Sequence, residues 1–418
     1  VSEHKIVVGL GYGDEGKGTI TSYLATNGKT DAIVKFSGGP QTAHNVILDD
    51  GTHHTFRQFG SATLQGVATI LSRFTLVNPL SLALEADVLE SKIGYNPMGN
   101  VFVSENALLI TEIHREANRQ RERARGLEAH GSCAHGIGET MLYATQPFEP
   151  DSPIVGDILK PERLLDKLSA YYDWVRLEFP NMEFNLEEVC EGLIETYNYN
   201  PFPIIDDETI SDFITRSDKL IFEGTQGILL DEWHGFHPNT TWSTTTSKNA
   251  LTLLYEAGYS RDDVEVIGIT RTYGTRHGYG PFPTEIQDDE FIIQFPEAHN
   301  KDGEWQGSFR IGNLDLTTLK YAVEVDGEID SIALTHCDYL VTELAKSKVA
   351  LTPAGEDELD LMEAYNHALK TATDYETIKV KDLDALKSVI ESTTGKRIMI
   401  ESHGPRLGDK RTLTEVLA

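Results

Sequence analysis

The sequence predicts an α/β fold built on a large, mostly parallel central sheet flanked by helices. Three observations carry that expectation. Short apolar, β-branched runs such as KIVVGLG (5–11) and AIVKFSGG (32–39) recur along the chain and end in glycine, as strands buried on both faces do. Amphipathic segments of helical period separate them, which is the alternation of a parallel sheet. The chain has 418 residues with 39% hydrophobic and 24% charged content, enough to bury a large core as one unit.

In chain order, the strand at 5–11 runs through a glycine turn into a helix from Gly18, closed by Gly28. Further strands are expected at 219–227 (KLIFEGTQG), 264–274 (VEVIGITRTYG), 331–338 (SIALTHCD) and 396–405 (KRIMIESHGP). Helical periodicity predicts helices over 79–91, 107–125, 161–178, 247–258, 315–324 and 380–394. A stretch at about 140–216, rich in Asp, Glu, Pro and Tyr, reads as a helical insertion packed on the sheet. No repeat, low-complexity tract or long linker divides the chain, so residues 1–418 read as a single domain.

Charge narrows the function. Lys and Arg number 36 against 66 Asp and Glu, a formal charge of -30, which argues against a nucleic-acid or anionic-membrane surface. Any anionic ligand then needs a local pocket. Cys133, Cys190 and Cys337 are too few and scattered for a disulfide framework or a zinc site. With no run of 18 apolar residues and no signal-like start, a cytoplasmic setting is expected.

The chemistry gathers on glycine loops. Gly11 to Lys17 has the phosphate-loop spacing G-x-x-x-x-G-K, but Asp14 and Glu15 lie inside it and Gly18 stands where a metal-binding hydroxyl is usual. Free N–H groups at a helix start bind anionic oxygens. Lys17 would neutralise phosphate charge, and Asp14 would hold a metal, take a proton, or both, while Glu15 reads equally as a solvated acid favoured by the helix dipole. FSGGPQTAHN (36–45) places His44 on a second strand-end loop, suited to an acid–base pair with Asp14.

The remaining motifs stay open on their residues alone. GSCAHGIGE (131–139) suits a phosphate, a base or a plain surface loop. Gln226 offers a donor and an acceptor to a purine edge. HPNTTWSTTTS (237–247) could hold a monophosphate or cap a helix near Ser247. Arg271 and Arg276 precede a Gly-Pro-Phe-Pro turn, and Asp338 could read a guanine-type edge or cap a turn. His53 and His54 point to opposite sides of a strand and make a poor metal site.

Together these motifs resemble the adenylosuccinate synthetase family. The resemblance rests on G-D-E-G-K-G at 13–18, a G-G-x-N-A-G-H-like loop at 38–44, F-E-G-x-Q-G-x-L-L-D at 222–231, and T-R-x-G-x-G-P-F-P-T-E ending at Glu285. It implies a phosphate-loop-related fold and a ligase that activates the purine 6-oxygen of a nucleoside monophosphate with a nucleoside triphosphate, then joins L-aspartate at that carbon. By the resemblance Asp14 is base and Mg²⁺ ligand, the Ala43 carbonyl a second Mg²⁺ ligand, His44 and Lys17 assist phosphoryl transfer, and a homodimer is expected. The triphosphate contacts map to Gly13, Glu15, Gly16, Gly18, Thr19, His336, Asp338 and Gly404. Substrate contacts map to Gln41, Ser132, Cys133, Gln226, Thr241, Arg276, Ser308 and Arg310, with Ser132 and Thr241 holding the 5′-phosphate and Ser132 and Gln41 standing where the family has Thr and Asn.

Departures from the family pattern cluster away from the chemical centre. The arginine-rich aspartate-binding stretch reads QGSFRIGNLD (306–315), leaving Arg310 as the carboxylate fork and Ser308 where an arginine would reach the ribose 2′-hydroxyl. The guanine-reading Lys-x-Asp reads His336-Cys337-Asp338, the closing segment is SHGPRLGDKR (402–411), and an arginine expected near Pro147, given across the dimer to the substrate phosphate, is missing. These changes resemble the phage-associated branch that joins aspartate to dGMP on the route to 2-aminoadenine, often with ATP, although its best-known members replace the loop aspartate kept here as Asp14. Ordinary synthesis from IMP with GTP is the alternative expectation. A nucleotide-binding regulator without catalysis is the expectation of another class, and a simple phosphate-loop kinase or NTPase fits less well because of Gly18.

Overall fold

The computed structural model describes residues 3–126, 132–147, 151–288, 295, 297, 307–339, 341–356, 358–372 and 374–413. Gly131, at the start of the third glycine loop, and Gln306 lie outside the described residues. The centre is a ten-stranded sheet. In chain order its strands are β1 (His4–Gly9), β2 (Ala32–Lys35), β3 (Ala68–Leu71), β4 (Val101–Ser104), β5 (Ile204–Ile205), β6 (Leu220–Glu223), β7 (Val264–Arg271), β8 (Ser331–Thr335), β9 (Arg397–Ser402) and β10 (Lys410–Thr412).

Across the sheet the order is β10-β9-β8-β7-β1-β6-β2-β3-β4-β5. Every neighbouring pair is parallel except β9 with β10. β1 is therefore central: Val7 pairs with Ile267 of β7 on one side and Glu223 of β6 on the other. All nine parallel strands end on one edge. In such sheets the loops beyond the carboxyl ends build the ligand crevice.

Strict alternation sends the strand side chains to two cores. Ile6, Val8, Val34, Phe222, Val266 and Ile332 join one large cluster, whereas Val7, Ile33, Ile221, Ile267 and Ala333 face the other way against Ile20 and Leu24. Those last two belong to the helix α1 (Lys17–Thr26) that leaves the first loop. A further core gathers the apolar faces of helices Pro79–Ile93, Glu112–Arg125, Pro161–Arg176 and Leu186–Tyr199 beside β3 and β4. Within 151–216 the chain forms three helices, the third being Asp207–Arg216, and supplies the edge strand β5.

The structure moves some expected boundaries. The helix expected from 107 starts at Glu112, because Leu108–Leu109 pairs with Leu76–Val77 and Thr111 takes the cap position. The helix expected from 380 starts at Leu383, capped by the Asp382 side chain, and Tyr375–Lys379 before it pairs with Glu343–Ser347. Helix Leu359–Thr371, which buries Met362, Tyr365 and Leu369 along one face, and strands β3 and β4 were not expected. Among the described residues no helix is long and apolar enough to cross a membrane.

Candidate active site

The carboxyl edge of the sheet opens into a cavity of about 1660 Å³. That exceeds the roughly 300–1,000 Å³ of a single small-molecule pocket. Loops after β1, β2, β6, β7, β8 and β9 all reach it. Its lining includes Gly13, Asp14, Gly16, Lys17, Gly18 and Thr19; Gln41, Ala43 and His44; Ser132 and Cys133; Gln226 and Thr241; Arg276; and His336, Asp338 and Gly404. Glu15, Ser308 and Arg310 do not line it.

The first loop shows why. Glu15 is buried, and its Oε1 accepts from the N–H groups of Gly11 and Gly13 at 2.9 and 2.8 Å while Lys17 Nζ lies 2.6 Å from Oε2. The carboxylate fills a space that side chains on its neighbours would take: a Cβ on Gly227 would stand 2.5 Å from Glu15 Oε1, and one on Gly9 would also strike this carboxylate. Glu15 is thus the internal brace of the loop, not a solvated acid. Asp14 turns the other way, partly exposed to the cavity with backbone φ of 63°. Its nearest ionic neighbour is His277, Nε2 to Oδ2 at 3.4 Å. Burial outweighs the attraction of His277 and Arg271 and holds its proton affinity above that of an ordinary aspartate.

Gly18 also finds its reason. A Cβ there would stand 2.6 Å from the Cβ of His44 and 3.1 Å from Ser61 Oγ. The start of α1 therefore packs directly on the second loop, and the usual hydroxyl has no room. Because Gly16 caps α1 without a side-chain hydrogen bond, the N–H groups of its first turn remain for an anion.

His44 is held by a residue that the motif reading quoted without assigning a role. Its Nδ1 lies 2.6 Å from Oε1 of Glu223, the fully buried last residue of β6. Glu223 also accepts from the Ser61 N–H at 3.1 Å and from the Ser61 hydroxyl, and pairs with Lys35 at 3.4 Å. Despite burial, Lys35 and His44 bring the Glu223 carboxyl down to about 2, so it is ionised and accepts from Nδ1–H. Burial lowers His44 to about 4, so the resting ring is neutral. A carboxylate inside the otherwise apolar run LIFE was the available signal.

Other loops are equally constrained. Gln226 and His336 have φ of 50° and 59°, and Ala134 between two lining residues has 57°. With Asp14 these are the non-glycine residues in the left-handed region among those described, and all four lie on cavity loops. Such strain of order 1–3 kcal/mol each persists where surrounding structure enforces it. Gln226 Oε1 accepts from Thr225 Oγ1 at 2.7 Å, and Thr241 donates its backbone N–H to Leu230 at 2.8 Å. His336 is gripped by Arg271, with Nη2 2.6 Å from Nε2, and burial with that positive neighbour drives its proton affinity far down. Asp338 is exposed at the rim. Gly404 accepts at its carbonyl from Lys410 at 2.9 Å, while burial lowers Lys410 to about 8.

Arg276 and Arg310 face each other across the antiparallel pair Gly274–His277 and Phe309–Gly312. Arg276 lies 3.9 Å over the Tyr12 ring and donates to the carbonyls of Pro281 and Asn239 at 2.9 and 3.2 Å; burial lowers it to about 10. Arg310 instead donates to Glu285 at 2.9 Å and the Gly280 carbonyl at 2.7 Å. Ser308 is exposed. Ser132 Oγ is 3.0 Å from Asn118 Oδ1, and burial raises the Cys133 thiol to about 11.

Among the described residues no cluster of three or more His, Cys, Asp or Glu side chains suits a metal. The residues nonetheless fit Mg²⁺, which takes one or two carboxylates and completes its shell with phosphate oxygens and water. Asp14, turned into the cavity beside the phosphate loop, is such a carboxylate.

A parallel sheet whose carboxyl edge joins a phosphate-type loop, an ordered His–Glu pair and one large cavity defines an enzyme acting on phosphorylated ligands. Comparison with known proteins is more specific. The family model described as adenylosuccinate synthetase matches residues 6–406, and the chain belongs to this family of nucleoside triphosphate-dependent carbon–nitrogen ligases. Similar curated proteins are the adenylosuccinate synthetases of Thermoplasma volcanium, 33% identical over 344 residues covering 80% of this chain and 75% of that one, and of Tolumonas auensis, 30% identical with 96% of both covered. Among solved structures, fully ligated adenylosuccinate synthetase from Plasmodium falciparum superposes with a TM-score of 0.80 at 20% identity, covering 98% of this chain and 99% of that one. The cyanophage S-2L succinoaminodeoxyadenylate synthetase bound to dGMP and dATP gives 0.64 at 18% identity, covering 99% and 95%. At these identities the two superpositions speak for the fold.

Proposed function

We propose that the protein joins L-aspartate to the six-position of dGMP through a 6-phosphoryl intermediate. The observation that carries the chemistry is that Asp14 and His44, from the loops after β1 and β2, line one cavity with Lys17 and Gln226. Asp14 takes the proton from the ring nitrogen beside the 6-oxo group. The 6-oxygen attacks the γ-phosphorus, and the bond to the nucleoside diphosphate breaks. The amine of L-aspartate then adds at carbon 6, and phosphate leaves with the former 6-oxygen. The raised proton affinity of Asp14 suits a base.

His44, with Nδ1 committed to Glu223, has Nε2 left for the phosphoryl group. The negative charge of a bound triphosphate favours a proton on that nitrogen, and Glu223 stabilises the resulting imidazolium. Lys17 and the first-turn N–H groups of α1 take phosphate oxygens. Asp14 and the Ala43 carbonyl would hold Mg²⁺, which when bound neutralises charge on the triphosphate and orients it.

For the sugar, support comes from the segment 307–313. Its arginine, Arg310, is engaged by Glu285 and Gly280, and Ser308 is exposed, so neither side chain selects for a 2′-hydroxyl. Ordinary synthesis from IMP is the second reading, favoured by the retained Asp14 and by the names of the curated relatives. Turnover of IMP, GMP, dIMP and dGMP with ATP and GTP separates the two. Tenfold or greater preference for IMP over dGMP would sink the dGMP assignment.

A further inference from the structure

One lobe of the cavity is lined by Gln41, Arg57, Asn118, Ser132, Cys133 and His135. Arg57 follows the strand His53–Phe56, and its backbone is clamped: its N–H and that of Gln58 donate to the two oxygens of Glu85 at 2.7 and 2.8 Å. The guanidinium, by contrast, is exposed and meets the Pro40 carbonyl at 3.5 Å. Pro40 precedes Gln41, whose side-chain nitrogen and oxygen are both buried without a hydrogen-bond partner. On the lobe's other wall the charge of Arg57 reaches Cys133 and His135, adding to the burial that brings His135 to about 4.

The other arginines around this lobe each have a carboxylate partner. Arg121 holds Glu139 and Glu178, each at 2.6 Å, Arg125 holds Glu122, Arg115 holds Glu112 at 2.7 Å, and Arg119 lies 3.8 Å from Glu116. Among the described residues, Arg57 thus stands in a strongly acidic chain without a carboxylate bonded to it, beside an unpartnered amide and the Ser132 hydroxyl. A cation, an amide donor and a hydroxyl converging on one lobe are the donor set for a phosphate group.

We propose that Arg57 is the cationic anchor of the substrate's 5′-phosphate, so that each chain supplies its own counter-charge to that group. This rests on the reading above that the lobe takes a purine nucleoside monophosphate. Its consequence is a phosphate subsite that needs no arginine from a second subunit.

The test is calorimetric titration of wild type, Arg57→Ala and Arg57→Lys with dGMP, IMP, deoxyguanosine, inosine and inorganic phosphate. Loss of the charge-assisted contact should weaken the preferred monophosphate about 30-fold in Arg57→Ala, with partial recovery in Arg57→Lys. Nucleoside affinities and the melting temperature should stay unchanged. A change below about threefold for the monophosphate, or an equal loss for the nucleoside, would overturn the assignment. If wild type binds neither dGMP nor IMP, the ligase reading fails. Inorganic phosphate then decides Arg57 alone: binding lost in Arg57→Ala supports it, and binding that is absent or unaltered overturns it.

Discussion

Asp14 and Glu15 show how little a residue type says without its direction. Adjacent in sequence, one carboxylate faces the cavity and the other is enclosed by its own loop. Asp14→Ala should abolish turnover at unchanged fold, read by activity and circular dichroism. The role of Glu223 requires a subtler design, because it neutralises buried Lys35 as well as orienting His44. Glu223→Gln should lower stability by about 3–5 kcal/mol, the cost of stranding a buried charge. The double variant Glu223→Gln with Lys35→Met should regain most of that in urea titration while kcat remains about 100-fold down. Recovery of both together would mean that Glu223 serves stability only.

At the level of elements, the junction between α1 and the second loop carries the argument. Gly18→Ser would restore the hydroxyl of an ordinary phosphate loop, yet the new side chain meets His44 Cβ and Ser61. Overpacking there should cost about 1–3 kcal/mol and displace His44, so kcat falls; unaltered kcat and urea midpoint would refute the packing explanation. Helix Glu112–Arg125 offers a pH prediction. His114 Nδ1 accepts from the Thr111 N–H at 3.2 Å at the helix start, its ring stacks on Tyr171, and burial lowers it to about 3 from 6.5. Between those values the unfolded chain binds the extra proton, so stability falls as pH drops below 6.5, by up to about 1.4 kcal/mol per unit. His114→Gln keeps an acceptor for the cap, and urea titrations at pH 7 and 5 should show a flatter dependence.

The same scale shows what was readable in the sequence. The glycine-ended strands β1, β2, β6, β7 and β9, with the apolar run of β8, announced themselves and placed nearly all the cavity loops. β3 and β4 did not, since ATIL and VFVS run on into Ser-Arg-Phe and Glu-Asn-Ala without the glycine turn that marked most of the others. The solvated-acid alternative for Glu15 stood open in the sequence because spacing cannot show that Gly9, Gly11 and Gly227 vacate a pocket for it. The expected role of Arg310 as a carboxylate fork could be read from its motif, whereas its ion pair with Glu285 could not, because that contact depends on a strand pairing between segments more than 20 residues apart. Arg57 lay in no motif and became visible only when folding set it beside Pro40.

For the whole molecule, the excess of 66 acidic over 36 basic residues leaves a charge of -30 on the chain. Self-repulsion of that size should be relieved as the screening length shrinks from about 10 Å at 0.1 M salt to about 3 Å at 1 M. The melting temperature should therefore rise across that range in sodium chloride, and a fall would show that local ion pairs outweigh the net field. The enclosed carboxylate of Glu15 has an evolutionary consequence at the same scale. Glycines at three positions from two distant segments leave room for it, and a fourth, Gly18, admits His44. A single substitution toward an ordinary phosphate loop, such as Gly18→Ser or loss of the Glu15 carboxylate, brings a collision or a vacancy with it, so a one-step mutational path between the two kinds of loop carries a cost in stability.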